Sequence, residues 1–420
     1  MEMSNIAMKN SVLFMSFGQS NADCHDAGPA FDHPVLDDPR IVLPNDGFGF
    51  RGIMGRQRKK AIDGFVPSYG FDPKCQSSGV ATATRFLHDV NDKTIGQVIV
   101  RSGAKGGRPL IGRIQHDRVI EGIFKEHDGT DAILMLSMIE DIYQIAATAA
   151  DIDLPIRKIY IPFYHGEADR NTPRDTYIEL LGKLMDHVDN AAAGIGIPTK
   201  WLLTQASGTG PTHTGNAWAN RLGIADIAKN RPNAAFANAN YALPLFDSSH
   251  LSATGKVLAG EQVGRCAARL HNGVISPDII RPLHATPDGN HIHVQFRTPV
   301  NTIVDRNTIP APLSTDGFSV DGQAPDFVTE AIPTEDGHLT LICAGPIPDN
   351  CQLNYAFARR SRTDPSEDVQ YAFGRGCLRT PNSIASLILP QMELHDWVPA
   401  FSIRVERMTL TEAMLECDPS

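Results

Sequence analysis

Val12–Phe17 is a short apolar run near the start of the chain, the pattern of a strand buried on both faces of a sheet. Val80, Ala83, Leu87 and Val90 then recur at helical spacing, and Val98-Ile99-Val100 reads as a second buried strand. Met135, Ile139, Ile142, Ala146 and Ala149 step by four, three, four and three, which is one face of a helix. Ile159–Phe163 is the next strand. Thr172 is expected to cap the helix after it, with Pro173 at the first helical position, Asp175 in the first turn, and Tyr177, Leu181, Leu184 and Val188 inside. Trp201–Leu203 and Ala234–Ala237 predict two more strands. Ser252 caps a last helix with Ala259, Val263, Ala267 and Leu270 buried. Strand and helix alternating at this rhythm predict an α/β unit, a parallel sheet covered on both faces.

The period changes near Ile275-Ser276-Pro277. Ile292, Val294 and Phe296 alternate with His291, His293, Gln295 and Arg297; Leu339 with Leu341, and Phe401, Ile403 and Val405, repeat the pattern. Asp316-Gly317, Asp321-Gly322 and Asp336-Gly337 punctuate these runs as turns. The expected organisation is a tail over residues 1–10, an α/β unit over 11–272, and an all-β, sandwich-like domain over 275–420.

Hydrophobic residues at 42% and charged residues at 20% fit a globular chain with a sizeable core and exclude a disordered one. A net charge of -10 and an isoelectric point near 5.8 argue against a nucleic-acid partner. The one dense basic run, Arg56-Gln57-Arg58-Lys59-Lys60, reads as a solvated face. No apolar stretch is expected to span a membrane, and no small-residue cleavage site follows the Ser11–Phe17 run, so no leader is expected. The seven cysteines (Cys24, Cys75, Cys266, Cys343, Cys351, Cys377, Cys417) are odd in number and form no Cys-x-x-Cys pair. Reduced structural thiols and a cytoplasmic setting are the expectation.

Chemistry gathers outside the carboxyl ends of parallel strands. Gly18-Gln19-Ser20-Asn21, Gly103-Ala104-Lys105-Gly106-Gly107 and His165-Gly166-Glu167-Ala168-Asp169 each follow a predicted strand, and Asp247-Ser248-Ser249-His250 follows a fourth. Serine needs an imidazole to take its proton and a carboxylate to orient that imidazole, and Asp-x-x-His carries both on one turn. Ser20, Asp247 and His250 are the expected nucleophile, acid and base. Glu167 is the rival carboxylate, and as a structural group it would bond the backbone around Ser20. The glycine-rich stretch Ala206–Asn216 lacks Gly-Lys-Ser/Thr, so it is no phosphate loop; it either contacts substrate or merely connects. Asp23, His25 and Asp26 line the pocket or form a polar turn. His291 and His293 share a strand face, but nothing completes a metal set; neither metal nor cofactor is expected.

These four blocks resemble the SGNH (GDSL-like) hydrolases, in the branch of carbohydrate acetylesterases and sialate O-acetylesterase-like enzymes whose first block reads Gly-Gln-Ser-Asn. The resemblance covers roughly residues 11–272. It implies a three-layer α/β/α fold, ester hydrolysis without metal, and an oxyanion hole made by the N–H of Ser20 and of Gly106 or Gly107. Gln19 and Asn21 are supporting residues in that picture. Many relatives place Gln where this chain has His165, so His165 is expected either as the third oxyanion donor or as a structural residue. The implied activity is removal of acetyl or other short acyl groups from a carbohydrate. A general short-chain carboxylesterase or polyester hydrolase is the alternative, and a non-catalytic glycan-binding protein a further one. The expected partner is a small ester substrate, with oligomeric state left open.

Overall fold

Asn10–Gly18 forms β1, buried from Ser11 onward, because it is the middle strand of a seven-stranded sheet. The computed structural model describes residues 9–23, 31, 34–49, 61–68, 76–208, 218–275, 279–297, 303–304, 316–324, 326–357 and 375–407. After β1 come Ile41–Pro44 (β2), Phe65–Pro67 (β3), Ser78–Asp89 (α1), Ile95–Ser102 (β4), the hairpin Arg113–Gln115 (β5) and Arg118–Ile120 (β6), and Ile133–Asp151 (α2). Ile156–Tyr164 (β7), Arg174–Gly194 (α3), Thr199–Gln205 (β8), Asn220–Asn230 (α4), Ala234–Ala239 (β9) and Ala253–His271 (α5) complete the α/β unit.

The sheet order is β3-β2-β4-β1-β7-β8-β9. Every neighbouring pair is parallel except β2 with β3. Alternate residues of β1 serve two cores. Leu13, Met15 and Phe17 pack with Met135, Met138 and Ile142 of α2 and Leu181 and Leu184 of α3. Val12 and Phe14 pack with Phe86 of α1 and Val263 and Ala267 of α5. Helices therefore cover both faces, as the strand–helix rhythm requires. The chain leaves β1 for β2, returns to β4 beside β1, then crosses to β7 and continues through β8 and β9 on the other side. The carboxyl end of β1 thus sits at the topological switch point, where such sheets open a crevice.

Two local expectations shift. Pro173 rather than Thr172 occupies the position before α3, and the Thr172 hydroxyl instead donates to Asp169 Oδ1 at 2.9 Å. α2 is long and apolar enough to cross a bilayer by length and composition, with mean hydropathy 1.3; its Met135, Met138, Ile142 and Ile145 are fully buried against the sheet, which makes it a core helix.

The rest of the described chain is antiparallel: Pro282–Asp288 (β10), His291–Phe296 (β11), Ile303–Val304 (β12), Phe318–Val320 (β13), Val328–Pro333 (β14), Leu339–Cys343 (β15), Gln352–Tyr355 (β16), Leu378–Ala385 (β17), Glu393–Trp397 (β18) and Phe401–Arg404 (β19). Ile292, Val294 and Phe296 are buried while His293 and Gln295 are exposed, as the alternation predicts. In place of two facing sheets, the strands fall into β10-β11-β15-β14, β12-β17-β18 and β13-β16-β19. Their core is not their own. Trp218, Leu222 and Tyr241 of the α/β unit belong to the same cluster as Phe296, Phe318, Tyr355 and Phe401.

The Arg221 guanidinium lies over the rings of Trp218 and Tyr241, 4.7 and 5.0 Å from their centroids. It donates to Ala206 O, Gly208 O and, across the seam, Ala356 O. Gln205 clasps the Ala400 peptide from both sides. These bonds join the two halves through fully buried polar groups.

Candidate active site

Gly18 ends β1 at φ 126°, and a Cβ there would meet Tyr164 O at 2.1 Å, so only glycine lets the chain turn this close to β7. Gln19 N then donates to Tyr164 O, and Ala22 N and Asp23 N donate back to Gln19 O. Ser20 stands on this turn, 5% exposed. Three further bonds fix the turn: Gln19 Oε1 accepts from Ala168 N, Ala22 O from the Ser102 hydroxyl, and Asp23 O from the buried Lys256 ammonium.

Asp247 and His250 sit on a closed loop between β9 and α5. Phe246 N donates to His250 O, and Ser252 N to Pro244 O. Asp247 Oδ1 accepts from the backbone N–H of Ser249 and of His250, each at 2.7 Å, while Oδ2 lies 2.7 Å from His250 Nδ1. Partial burial alone would raise the Asp247 carboxyl, but the bonds from His250 and these two N–H groups outweigh it and hold the acid below the usual range. With Nδ1 on the carboxylate, His250 Nε2 is the nitrogen left to accept a proton.

Asn21 joins the two segments. Its Oδ1 accepts from Leu251 N at 3.0 Å and its Nδ2 donates to Ser249 O at 3.1 Å, so it grips the backbone on both sides of His250. The residue after Ser20 therefore fixes where His250 stands. Ser20 Oγ itself makes no hydrogen bond among the described residues.

Glu167 is a structural hub. Its Oε1 accepts from Asn21 Nδ2 at 3.0 Å, from Ser207 N at 2.8 Å and from the Ser207 hydroxyl at 2.9 Å. Ser207 Oγ also lies 2.8 Å from Ser249 O. The carboxylate so braces the Asn21 side chain and the loop after β8, rather than the backbone beside Ser20, and it makes no bond to His250 among the described residues.

His165 is bonded within the protein at both ring nitrogens. Its Nε2 lies 3.0 Å from Arg108 O, which can only accept, and its Nδ1 lies 2.9 Å from the Tyr177 hydroxyl. Both ring nitrogens are spent, and the ring is sandwiched between Phe163 and Tyr177. Burial pushes its pKa down against the pull of Asp169, the Arg108 carbonyl and Glu167, so the ring is held neutral. It acts as a post under the Gly106-Gly107-Arg108 loop.

That loop does reach the site. A Cβ on Gly106 would stand 3.5 Å from the Ser20 Cβ, and Gly107 has φ 70°. Among the described residues, the backbone N–H groups of Ser20, Gly106 and Gly107 have no protein acceptor.

Sequence reasoning missed Ser207, although it drew attention to the loop that begins at Ala206, and missed the role of Tyr177 as a polar partner inside an apolar stripe. His25, Asp26, residues 209–216 and the basic run 56–60 lie outside the described residues. The His291 and His293 rings lie side by side, tilted, with centroids 6.4 Å apart. No group of three potential metal ligands occurs among the described residues. Cys266, Cys343, Cys351 and Cys377 are buried free thiols.

No family model and no curated protein matches the sequence significantly. Among solved structures, the chain matches a carbohydrate acetylesterase from Xanthomonas citri with TM-score 0.52 over 93% of this chain and 80% of that one, at 14% identity. A protein from Arabidopsis thaliana aligns over 62% of this chain and 98% of that one, at 14% identity and TM-score 0.40. At such identity the likeness to the acetylesterase is one of fold alone.

Proposed function

We propose that the chain is a serine esterase of SGNH type that removes acetyl or other short acyl groups from a carbohydrate. The observation that carries this is the Asn21 grip, which ties the hydrogen-bonded Asp247–His250 pair to the turn bearing Ser20. The acetylesterase fold of the Xanthomonas citri protein supports the ester-hydrolysing reading.

Ser20 Oγ attacks the acyl carbonyl as His250 Nε2 takes its proton. The N–H groups of Ser20, Gly106 and Gly107 receive the oxyanion. His250 then protonates the leaving sugar oxygen, and water activated by the same imidazole releases the acid and frees Ser20. Asp247 stays ionised throughout and holds the imidazole by Nδ1.

Ser20→Ala tested on p-nitrophenyl acetate decides the mechanism: kcat should fall by several orders of magnitude, about 10⁴-fold or more. A loss of only a few-fold would overturn it. Acetylated glycans set against synthetic short-chain esters then decide the carbohydrate part. A clear preference in kcat/KM for the glycan is expected, and equal or better turnover of the simple esters would remove it.

A further inference from the structure

A cavity of about 520 Å³ opens between β9, the second half of α5 and the antiparallel sheets. Phe236 and Trp397 line it together with four arginines, Arg265, Arg269, Arg281 and Arg297, and a single carboxylate, Asp396. Arg265 is paired with that carboxylate at 2.8 Å. Arg269, Arg281 and Arg297 have no side-chain acceptor or ion-pair partner among the described residues. A second cavity of about 500 Å³ shares Arg281 and Arg297 and adds Lys229 and the Arg174–Asp226 ion pair. Across both cavities, six cations among the described lining residues face two carboxylates, in a protein whose net charge is -10.

Such an excess is unfavourable unless something answers it, because like charges converging on a partly enclosed space repel. Hydration meets part of that cost, but guanidinium forks match oxyanions two bonds at a time. Neutral polar groups from Asn238, Gln262 and Asn382 line the same space, and they can receive hydroxyls. We infer that this seam is a second binding site, separate from the Ser20 centre, for a small organic oxyanion carrying phosphate or carboxylate groups. It is remote from the catalytic residues: from Ala253, just after His250, to Arg265 the helix runs about 18 Å.

Trp397 supplies the readout, since Trp201 and Trp218 are fully buried away from the cavity. Inorganic pyrophosphate and D-glucuronate, titrated against the full chain in low salt, should each be tried by tryptophan fluorescence and calorimetry. Saturable binding by pyrophosphate alone identifies a phosphate site, and by glucuronate alone a carboxylate site; either supports the inference. The R281Q/R297Q variant should bind the same probe at least about 10-fold more weakly, and raising salt should weaken the unmodified chain alike. Its turnover of p-nitrophenyl acetate should be unchanged, which separates a failure here from a failure of the esterase reading. R269Q, on the exposed side of α5, serves the same purpose should the double variant melt early. Absence of saturation by both probes up to about 10 mM overturns the inference, as does equal binding by the variants.

Discussion

Asn21 Nδ2 and Glu167 Oε1 meet at 3.0 Å across 146 residues of chain, both side chains buried. Through this bond the carboxylate holds the amide that holds His250, so Glu167 acts on the proposed base only by positioning. Glu167→Gln keeps a carbonyl oxygen in place of Oε1 and should retain at least about a third of kcat. Glu167→Ala leaves the Ser207 N–H without its acceptor and takes from Asn21 Nδ2 one of its three partners, and should cost about 1–3 kcal/mol with a kcat loss of about 10-fold or more. A Glu167→Gln variant as damaged as Glu167→Ala would mean the negative charge itself matters.

Asp247 should respond in the opposite way. Asp247→Asn preserves shape but presents an N–H or a neutral oxygen to His250 Nδ1, which favours the wrong tautomer. A loss of at least about 10³-fold in kcat with little change in melting temperature is expected. If Glu167→Gln proved the more harmful of the two, the acid of the proposed triad would have to be reassigned.

His165 carries a pH signature in stability rather than in turnover. Its folded pKa lies below the unfolded value because burial disfavours the imidazolium. Between the two values the unfolded chain binds the extra proton. The stabilisation is therefore complete above the unfolded pKa of about 6.5 and is lost as pH falls toward the folded value, at up to about 1.4 kcal/mol per pH unit. His165→Gln should flatten the fall in unfolding midpoint between pH 7 and 5 and keep kcat within a few-fold. A parallel fall in both proteins would rule out a neutral buried His165. A kcat loss of about 10²-fold in the glutamine variant would return the ring to the chemistry.

What was legible in the sequence was what depends on period and local chemistry. Continuous apolar runs mark β1, β4 and β7 because strands inside a parallel sheet are buried on both faces, and the tight blocks after them sit at its carboxyl edge. Asp-x-x-His declares its own bond, since three residues of one turn bring the partners together. His165 was left between two roles because the decision belongs to Arg108 O and Tyr177, which no local pattern connects to it. β2 and the β5–β6 hairpin escaped because runs of three and four residues carry too little periodicity. The second half read rightly as antiparallel from its alternation at Ile292–Phe296. Its dependence on Trp218 and Tyr241 was invisible, because a shared core is a property of the assembled chain.

That shared core should make the two halves depend on each other for folding. Removing residues after 272 would uncover Trp218 and Tyr241, leave the Tyr241 hydroxyl without Val398 O, and leave Glu261 without the N–H groups of Leu387 and Ile388. Arg221 would lose Ala356 O while its guanidinium, whose pKa burial already depresses, kept its place among apolar rings. Exposing this shared apolar core to water costs about 25 cal/mol per Å² uncovered, against the 5–15 kcal/mol by which a folded protein is typically held. A chain of residues 1–272 should therefore be insoluble or molten, with no esterase activity. Arg221→Ala in the full chain should lower the melting temperature by about 5 °C or more. A soluble, cooperatively melting and active 1–272 fragment would show that the antiparallel half merely rests on the α/β unit.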